Sequence, residues 1–283
     1  MAWDQAATAY EVFPAGCEPG PVSRQIAELG SAIVRGIWPV EPLRTLRKAI
    51  AGFCDDRRAD VQAGRHAHPT AKMYASHGVG TLAGLIHGGH LSPTFPIELF
   101  QGSGYEQVCR AYHKSERLYC QLNRCGFREH RTDLSNKSFI PYHQDSYSQD
   151  ERINDVINCW TPLDPCGRGT PAPGLEVVMN RCTPNFPRKD FGLTTENAAY
   201  DFITIDRDDI VPVFGDNFLA ETFAVGDCLI FSQDVIHRTY VTPDMTQPRI
   251  NFEFRVFSED CIDAECRAEL LGSTVLLYPL FQA

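Results

Sequence analysis

The sequence predicts an α+β fold with a mainly β core, in which helices come first and an antiparallel sandwich or jelly roll follows. Apolar residues at helical spacing occupy two segments of the N-terminal half. Short β-branched and aromatic runs, separated by turn residues, then continue from residue 156 to residue 257. Helices followed by strands, without alternation between the two, are typical of this fold class.

The first 24 residues predict an extended leader with little regular structure. They contain helix-breaking and turn-forming residues at Pro14, Gly16, Pro19, Gly20 and Pro21. Residues 25–29 then suit a short helical turn that ends at Gly30. The β-branched run of residues 31–38 predicts the first strand.

Two amphipathic helices are predicted next. The first begins within residues 39–42, because proline is favourable at an early helical position. Its apolar face consists of Leu43, Leu46, Ile50 and Phe53. The second helix lies within residues 104–126, and its apolar anchors are Val108, Tyr112, Leu118 and Leu122.

Two long segments, residues 55–100 and 183–217, show no clear periodicity. The first is rich in Gly, His and Pro, and the second contains several Pro and Asp residues. Irregular segments of this length inside a compact domain often act as lids or binding loops. We therefore expect lid or insert segments here, although a purely structural role for residues 55–100 is equally compatible with the sequence.

Five strands are predicted in the C-terminal half. They cover residues 156–160, 175–179, 226–231, 237–241 and 249–257. The last one alternates strictly between a polar face (Arg249, Asn251, Glu253, Arg255) and an apolar face (Ile250, Phe252, Phe254, Val256). A polar face on so apolar a strand is either exposed to solvent or lines a wet cavity.

The composition predicts one cytoplasmic domain spanning residues 1–283. The N-terminus lacks the basic and apolar regions of a signal peptide, and no apolar run is long enough to span a bilayer. The 11 cysteines form no Cys-x-x-Cys pair, so we expect reduced thiols. The net charge of -10 disfavours nucleic acid and anionic membrane surfaces as partners.

His143 and Asp145 are the first candidate metal ligands. Residues separated by one position on an extended segment point to the same side, so this imidazole and carboxylate would converge. A third ligand would complete the triad of two His and one carboxylate that non-heme Fe(II) oxygenases use. Taken alone, the pair is also compatible with a solvated His beside an Asp in a turn.

His237 is the candidate third ligand, because it follows a Gly-Asp turn and the buried apolar run of residues 226–231. Arg249 opens the alternating strand. A guanidinium at the mouth of a polar cavity can bind a planar carboxylate through two parallel hydrogen bonds. For each residue by itself, the commoner roles are a core His and a surface Arg.

Five motifs in order resemble the phytanoyl-CoA dioxygenase family of Fe(II)- and 2-oxoglutarate-dependent oxygenases. They are His143-x-Asp145, Trp160-Thr-Pro-Leu-Asp164, Gly174-Leu-Glu-Val-Val178, Gly226-Asp227 with His237-x-Thr239, and Arg249. The opening strand and the proline-started helix are similar as well, so the resemblance runs from about residue 25 to residue 257. It implies a double-stranded β-helix, which is a cupin-like jelly roll, with N-terminal and flanking helices.

The resemblance also implies how the co-substrate is bound. Arg249, together with Thr239, would bind the far carboxylate of 2-oxoglutarate. Trp160 occupies a position where the family often has an aromatic residue near the co-substrate, and plain core packing is its alternative role. A further polar contact would come from the segment before His143, where Arg131 is the choice and Asn136 and Lys137 are alternatives.

The implied reaction consumes O2 and 2-oxoglutarate at Fe(II) and releases succinate and CO2. His143, Asp145 and His237 would be the catalytic iron ligands. Related halogenases carry Gly or Ala in place of the carboxylate, so Asp145 favours hydroxylation or desaturation over halogenation. No basic cluster suits the phosphates of coenzyme A. The expected partner is a free small molecule, such as a specialised metabolite, an amino acid or another small polar acid.

Two other classes of function remain open at this stage. A catalytically silent protein that keeps the β-helix as a ligand-binding scaffold would not need all three metal ligands and Arg249. A metal-dependent hydrolase or isomerase would leave Arg249 without a role and would consume no O2. On the strand of Arg249, we expect Glu253 and Arg255 to pair with each other, and contact with a polar substrate is the alternative.

Overall fold

The computed structural model of the protein describes residues 9–65, 78–130, 139–147, 152–187, 204–271 and 277–281. The helices are α1 Pro19–Leu29, α2 Val40–Gln62, α3 Leu82–His87, α4 Phe95–Phe100, α5 Gly104–His113, α6 Arg207–Phe214 and α7 Arg267–Leu271. The strands are β1 Val12–Phe13, β2 Ser31–Val34, β3 Val79–Thr81, β4 Leu118–Cys120, β5 Gly126–His130, β6 Ile157–Pro162, β7 Cys166–Gly167, β8 Gly174–Arg181, β9 Phe218–Ala220, β10 Thr222–Phe223, β11 Cys228–Ser232, β12 Val235–Tyr240, β13 Arg249–Ser258 and β14 Tyr278–Pro279. No helix within these ranges is long and apolar enough to cross a membrane.

The strands form a larger and a smaller sheet. The larger sheet has the order β1-β2-β11-β6-β13-β4-β14, with β5 beside the first half of β13 and β3 beside β5. The smaller sheet has the order β12-β8-β9, and β7 pairs with β10. The central neighbours β11, β6 and β13 are antiparallel. The structure therefore confirms the predicted α+β chain with a mainly β core.

Strand β13 separates the helices from the interior between the sheets. Its apolar residues Phe252, Phe254 and Val256 belong to a core cluster that includes residues of α1 to α5. The polar residues at the start of the strand are also buried, since Arg249 is 1% exposed and Asn251 is 2% exposed. The polar face of β13 therefore lines the protein interior, which decides between the two possibilities that the sequence left open.

A second apolar cluster joins the two sheets. Its members come from the larger sheet (Ile33, Trp160, Leu229, Phe231) and from the smaller sheet (Leu175, Val177, Val235). Burial of these side chains from water supplies the main force that holds the sheets face to face.

The prediction for the N-terminal segment is right for helix α2 and wrong for the leader. Helix α2 buries the four apolar residues that predict it. Residues 1–24 are not an extended leader throughout, because β1 pairs with β2 and α1 begins at Pro19. Proline suits the first turn of a helix, and the apolar face of α1 follows at Val22, Ile26 and Leu29.

The second predicted helix is too long. Helix α5 ends at His113, where Lys114 adopts a left-handed conformation with φ of 51°. Leu118 lies in strand β4 and pairs with Ser258 of β13. Because all three residues of β4 are buried, apolar spacing continues across the boundary between helix and strand and conceals it.

The expectation of irregular structure in residues 55–100 is wrong for most of the described part. Helix α2 continues to Gln62, and β3, α3 and α4 follow from residue 79. Helices of six residues are too short to show periodicity, and α3 is marked only by its cap, in which Thr81 Oγ1 accepts a hydrogen bond from Gly84 N at 3.1 Å. Helix α6 lies within the second segment, residues 183–217. Residues 66–77 and 188–203 lie outside the described residues, so the lid function stays a prediction.

Candidate active site

The three predicted metal ligands come together between the two sheets. The possible ligand atoms of His143, Asp145 and His237 lie within 4.8 Å of one another. His143 and His237 exchange two backbone hydrogen bonds of 3.0 Å, which places the segment before Asp145 against strand β12. Asp145 then begins a short 3-10 helix, Asp145–Tyr147. The convergence thus arises from a strand bridge followed by a turn, and the expected strand alternation is wrong for Asp145.

Both imidazoles are oriented by backbone carbonyl groups. His143 Nδ1 lies 2.8 Å from the oxygen of Pro141, and His237 Nδ1 lies 3.0 Å from the oxygen of Val235. A carbonyl oxygen only accepts hydrogen bonds, so each Nδ1 carries the proton and each Nε2 is left with its lone pair. This is the tautomer that binds a metal ion through Nε2, with the second nitrogen fixed by a neighbouring group.

Asp145 is fixed from the opposite side by the larger sheet. Asn158 Nδ2 donates a hydrogen bond of 2.9 Å to Asp145 Oδ2. Arg255 Nη2 lies 3.1 Å from both carboxylate oxygens of Asp145 and 3.0 Å from Glu253 Oε2. The pairing of Glu253 with Arg255 is therefore present as predicted, and the contact of Arg255 with Asp145 is an addition that the sequence did not reveal.

The protonation states suit a divalent cation. Burial and the neighbouring His237 lower the pKa of His143 to about 3, and burial also lowers the pKa of His237. Burial alone would raise the pKa of Asp145, but Arg255 and the two imidazoles outweigh it and lower that pKa. At neutral pH the three side chains are thus two neutral imidazoles and one carboxylate.

Gln144, between the first two ligands, holds their segment in place. Its side chain is fully buried. Its Nε2 donates to the backbone oxygens of Cys182 and Asp234, at 3.0 and 2.6 Å, and its Oε1 accepts from Phe186 N at 2.7 Å. These three hydrogen bonds tie the ligand segment to the chain before His237 and to the loop after β8. The sequence shows that residue 144 is polar, and only the structure shows that its side chain is buried.

Arg249 lies at the start of β13 and is buried without a carboxylate partner within the described part of the chain. Its guanidinium carbon is 4.9 Å from the centre of the Trp160 ring. The Nε and Nη1 atoms have no hydrogen-bond partner among the described residues. Burial lowers the pKa of Arg249 to about 10, so the group stays charged at neutral pH. A buried cation of this kind is costly unless an anion binds it.

Further polar groups without partners surround Arg249. His130 lies directly opposite Arg249 in the pairing of β5 with β13, and Asn251 follows on the same face. His130 Nδ1 and Asn251 Oδ1 are buried and lack hydrogen-bond partners among the described residues. Burial lowers the pKa of His130 well below its usual value, and the charges of Arg249 and Arg128 lower it further. Side chains alternate between the two faces along strand β5, and this alternation is the signal that could have identified His130 as a site candidate.

Thr239, Trp160 and the residues just before His143 are the other predicted contacts of the co-substrate. Thr239 Oγ1 accepts a hydrogen bond of 3.1 Å from Ile140 N, which joins β12 to the segment before His143. The Trp160 ring packs in the core against Phe223, with ring centres 5.2 Å apart, and also contacts Arg249, while its place near the co-substrate stays a prediction. Arg131, Asn136 and Lys137 lie outside the described residues, so their contacts stay predictions.

A second group of possible metal ligands lies away from the triad. It consists of His113, Asp155 and Cys261. Asp155 Oδ1 already accepts a hydrogen bond of 2.7 Å from the hydroxyl of Tyr112 and lies 3.4 Å from Arg181 Nη2. Because Asp155 is already bound by these two side chains, we interpret the group as a structural link between helix α5 and the chain after β13.

Comparison with known proteins supports the fold. No protein-family model matches the chain, and no curated protein sequence matches it. Among solved structures, EvdO2 from Micromonospora carbonacea var. aurantiaca, in complex with 2-oxoglutarate, has 16% identity and a TM-score of 0.56. That match covers 88% of this chain and 94% of EvdO2. The epimerase SnoN from nogalamycin biosynthesis, described as non-heme and α-ketoglutarate-dependent, has 11% identity and a TM-score of 0.50. That match covers 87% of this chain and 83% of SnoN.

These likenesses identify the two-sheet architecture as a double-stranded β-helix, as predicted. At 11–16% identity the comparison concerns the arrangement of the backbone. The chemistry of the site depends on its side chains, because one fold supports many functions.

Proposed function

We propose that the protein is an Fe(II)- and 2-oxoglutarate-dependent dioxygenase that belongs to the phytanoyl-CoA dioxygenase family. The observation that carries the proposal is a buried donor set of two neutral imidazoles and one carboxylate in the same interior as a buried Arg249, whose Nε and Nη1 atoms have no hydrogen-bond partner among the described residues. Two His and one carboxylate form the facial triad of non-heme Fe(II) enzymes, which leaves positions open for other ligands.

The interior around Arg249 fits a dicarboxylate co-substrate. Arg249 offers two unpaired N–H groups, and His130 and Asn251 add polar atoms beside it. One carboxylate of 2-oxoglutarate would be held here, with Trp160 against the guanidinium, and the keto-acid end would reach the metal. The likeness to EvdO2, which was solved with 2-oxoglutarate, supports this choice of co-substrate. A purely structural role for Arg249 would not explain why its charge is buried without a carboxylate partner among the described residues.

When bound, Fe(II) and 2-oxoglutarate supply an oxidation in which O2 is consumed, succinate and CO2 are released, and the substrate loses two electrons. The residues of this chain would bind, orient and exclude water. His143, Asp145 and His237 would hold the metal, and the apolar cluster between the sheets would keep bulk water away. Because Asp145 is present as a ligand, we propose hydroxylation of a free small molecule, with desaturation as the alternative outcome.

A catalytically silent scaffold protein is the second candidate. The free energy spent on burying Arg249 and three ligating side chains argues against it, since a scaffold gains nothing from them. A metal-dependent hydrolase or isomerase would use the triad but would leave Arg249 without an anion.

Succinate formation tests the proposal. Anaerobically purified protein is given Fe(II), ascorbate, 2-oxoglutarate and air. We expect slow succinate release without a substrate in the wild type and its loss in Asp145→Ala and Arg249→Ala. Arg44→Ala is the matched control, because Arg44 is an exposed residue of helix α2 whose side chain pairs only with Glu41 among the described residues.

Binding of the co-substrate is measured in parallel from the charge-transfer absorption of the anaerobic Fe(II) protein with 2-oxoglutarate. If the wild type shows neither succinate nor this band, the dioxygenase proposal is wrong. A band without succinate would mean that turnover requires the substrate and would direct a screen of small metabolites.

A further inference from the structure

The carboxylate of Asp145 accepts three hydrogen bonds from side chains in the described part of the protein. Two come from Arg255 Nη2, which is 3.1 Å from each carboxylate oxygen, and one comes from Asn158 Nδ2 at 2.9 Å from Oδ2. Asn158 and Arg255 are directly opposite each other in the pairing of β6 with β13. His143 and His237, in contrast, belong to the side of the smaller sheet.

We propose that Arg255 is a positioning residue for the metal-binding carboxylate. Together with Asn158, it holds Asp145 so that Oδ1, which Arg255 alone of the two contacts, lies toward His143, while Oδ2 is held by both residues. The inference rests on the proposed function, because it takes His143, Asp145 and His237 as the metal ligands.

The two carboxylate oxygens are not equivalent in the structure. Asp145 Oδ1 is 3.9 Å from His143 Nε2, on the side of the ligand cluster, while Oδ2 accepts the hydrogen bond from Asn158. An oxygen that is held by Asn158 and Arg255 does not turn toward the cluster without breaking hydrogen bonds. Asp145 would therefore bind a metal through a single oxygen, which keeps a further coordination position free.

A cation beside a metal site requires charge compensation, and Glu253 supplies it. Glu253 Oε2 is 3.0 Å from the same Arg255 Nη2 that contacts Asp145. Arg255, Asp145 and Glu253 together carry a net charge of -1, so the group still attracts a divalent cation. The pair of Arg255 with Glu253 also explains why a buried arginine is tolerated here.

The backbone fixes Arg255 on its far side. Its Nη1 donates to the backbone oxygen of Arg124 at 3.3 Å, and its side chain is only 13% exposed. The guanidinium is thus held by three groups around its edge, and its planar shape fits them simultaneously. Lysine keeps the charge but offers a compact, flexible ammonium group and does not reproduce this arrangement.

The test measures metal affinity and coordination without turnover. Metal-free, full-length protein is titrated with Co(II) under anaerobic conditions, and the dissociation constant and the visible absorption of bound Co(II) are recorded. Wild type and Asp145→Ala are compared first, to establish that the titrated site is the triad. Arg255→Gln, Arg255→Lys and Asn158→Leu follow, each checked for folding by circular dichroism and thermal unfolding.

Groups that orient a metal ligand typically contribute about 10- to 100-fold to metal affinity. We therefore expect Arg255→Gln to weaken Co(II) binding by about 10- to 100-fold and to shift the Co(II) absorption, because the carboxylate changes its mode of binding. Arg255→Lys restores part of the affinity, and Asn158→Leu weakens binding less than Arg255→Gln. Arg238→Gln is the control, since Arg238 adjoins His237 but pairs with Glu176 outside the cluster, and it leaves affinity and spectrum unchanged.

The possible failures are distinguishable. If Asp145→Ala keeps the wild-type Co(II) affinity and spectrum, the metal site itself is wrongly assigned and the proposed function fails. If Asp145→Ala weakens binding while Arg255→Gln and Asn158→Leu keep the wild-type affinity and spectrum, only the positioning role is overturned. Should Arg255→Gln not fold, wild-type behaviour of both Arg255→Lys and Asn158→Leu overturns the role in the same way.

Discussion

The two ends of the candidate site differ in how completely the protein pairs their charged groups. At the metal end, both Nδ1 atoms are bound to backbone carbonyls, and the Asp145 carboxylate is held by Asn158 and Arg255. At the other end, Arg249, His130 and Asn251 are buried with atoms that have no partner among the described residues.

This difference indicates two ways of preparing a site. The metal end is organised by the protein alone, so a cation meets ligands that are already oriented and in the required protonation state. The Arg249 end is incomplete without an anion, and burying its unpaired polar atoms lowers the stability of the folded protein. Binding of an anion at this end would recover that cost.

The largest expected effect comes from removing the charge at the incomplete end. In Arg249→Met, a long apolar side chain replaces the buried guanidinium, which has no carboxylate partner among the described residues. We expect 2-oxoglutarate binding to weaken by about 2–5 kcal/mol, which is at least about 30-fold, because the anion loses its buried partner. The protein without ligands should become more stable by about 1–4 kcal/mol, because an uncompensated buried charge is removed.

Calorimetric titration with 2-oxoglutarate and urea unfolding of the metal-free protein measure the two effects of Arg249→Met. Arg249→Lys, which keeps the charge, is the control for stability. A variant that is destabilised and still binds 2-oxoglutarate normally would contradict the contrast between the two ends.

A smaller effect is expected from pH at the metal end. Two His residues with ordinary pKa values near 6.5 would lose metal affinity by about 100-fold between pH 7.5 and pH 5.5, because protons compete for Nε2. The pKa of His143 is lowered to about 3 and that of His237 is lowered as well, so both stay neutral to lower pH. We therefore expect the affinity for Mn(II) to fall by less than about tenfold over this range.

Electron paramagnetic resonance of free Mn(II) at pH 7.5, 6.5 and 5.5 measures this dependence. A 100-fold loss of Mn(II) affinity at constant folded fraction would show that the imidazoles titrate normally.

The same lowered pKa values mean that the unfolded chain binds more protons than the folded one below pH 6.5. The metal-free protein should accordingly lose stability as the pH falls from about 6.5 toward 3.

At both ends of the site the sequence points to residues that lie in short motifs and misses residues that only strand pairing brings in, and the reason lies in chain distance. His143 and Asp145 are two positions apart, and His237 and Arg249 follow in recognisable motifs. Arg255 and Asn158 have ordinary neighbours in the sequence, and only the pairing of β6 with β13 brings them to Asp145. His130 likewise becomes a site candidate only when β5 is placed beside the start of β13.

The fold shows the same division between local and long-range information. Helix α2 and the long strands β11 and β13 were predictable because each has a complete apolar pattern of its own. Helix α1 is marked by proline placement, the short helix α3 by a single cap, and strand β4 by burial on all sides. Turn-forming residues hide both helices, and helical spacing hides the strand, so the sequence pattern favours the wrong element.

The smallest expected effect tests whether His130 belongs to the incomplete end. In His130→Phe, an aromatic ring is kept for stacking on Phe139, whose ring lies 5.9 Å away at an angle of 12°, and only the ring nitrogens are lost. A neutral hydrogen bond contributes about 0.5–1.5 kcal/mol, so we expect 2-oxoglutarate affinity to fall by about 2- to 10-fold. Metal affinity should not change, because no contact joins His130 to the triad among the described residues. If both affinities fall together, His130 supports the site as a whole, and the separation into a satisfied and an incomplete end is too sharp. If only 2-oxoglutarate binding falls, the buried nitrogen of His130 is one of the groups that the anion completes.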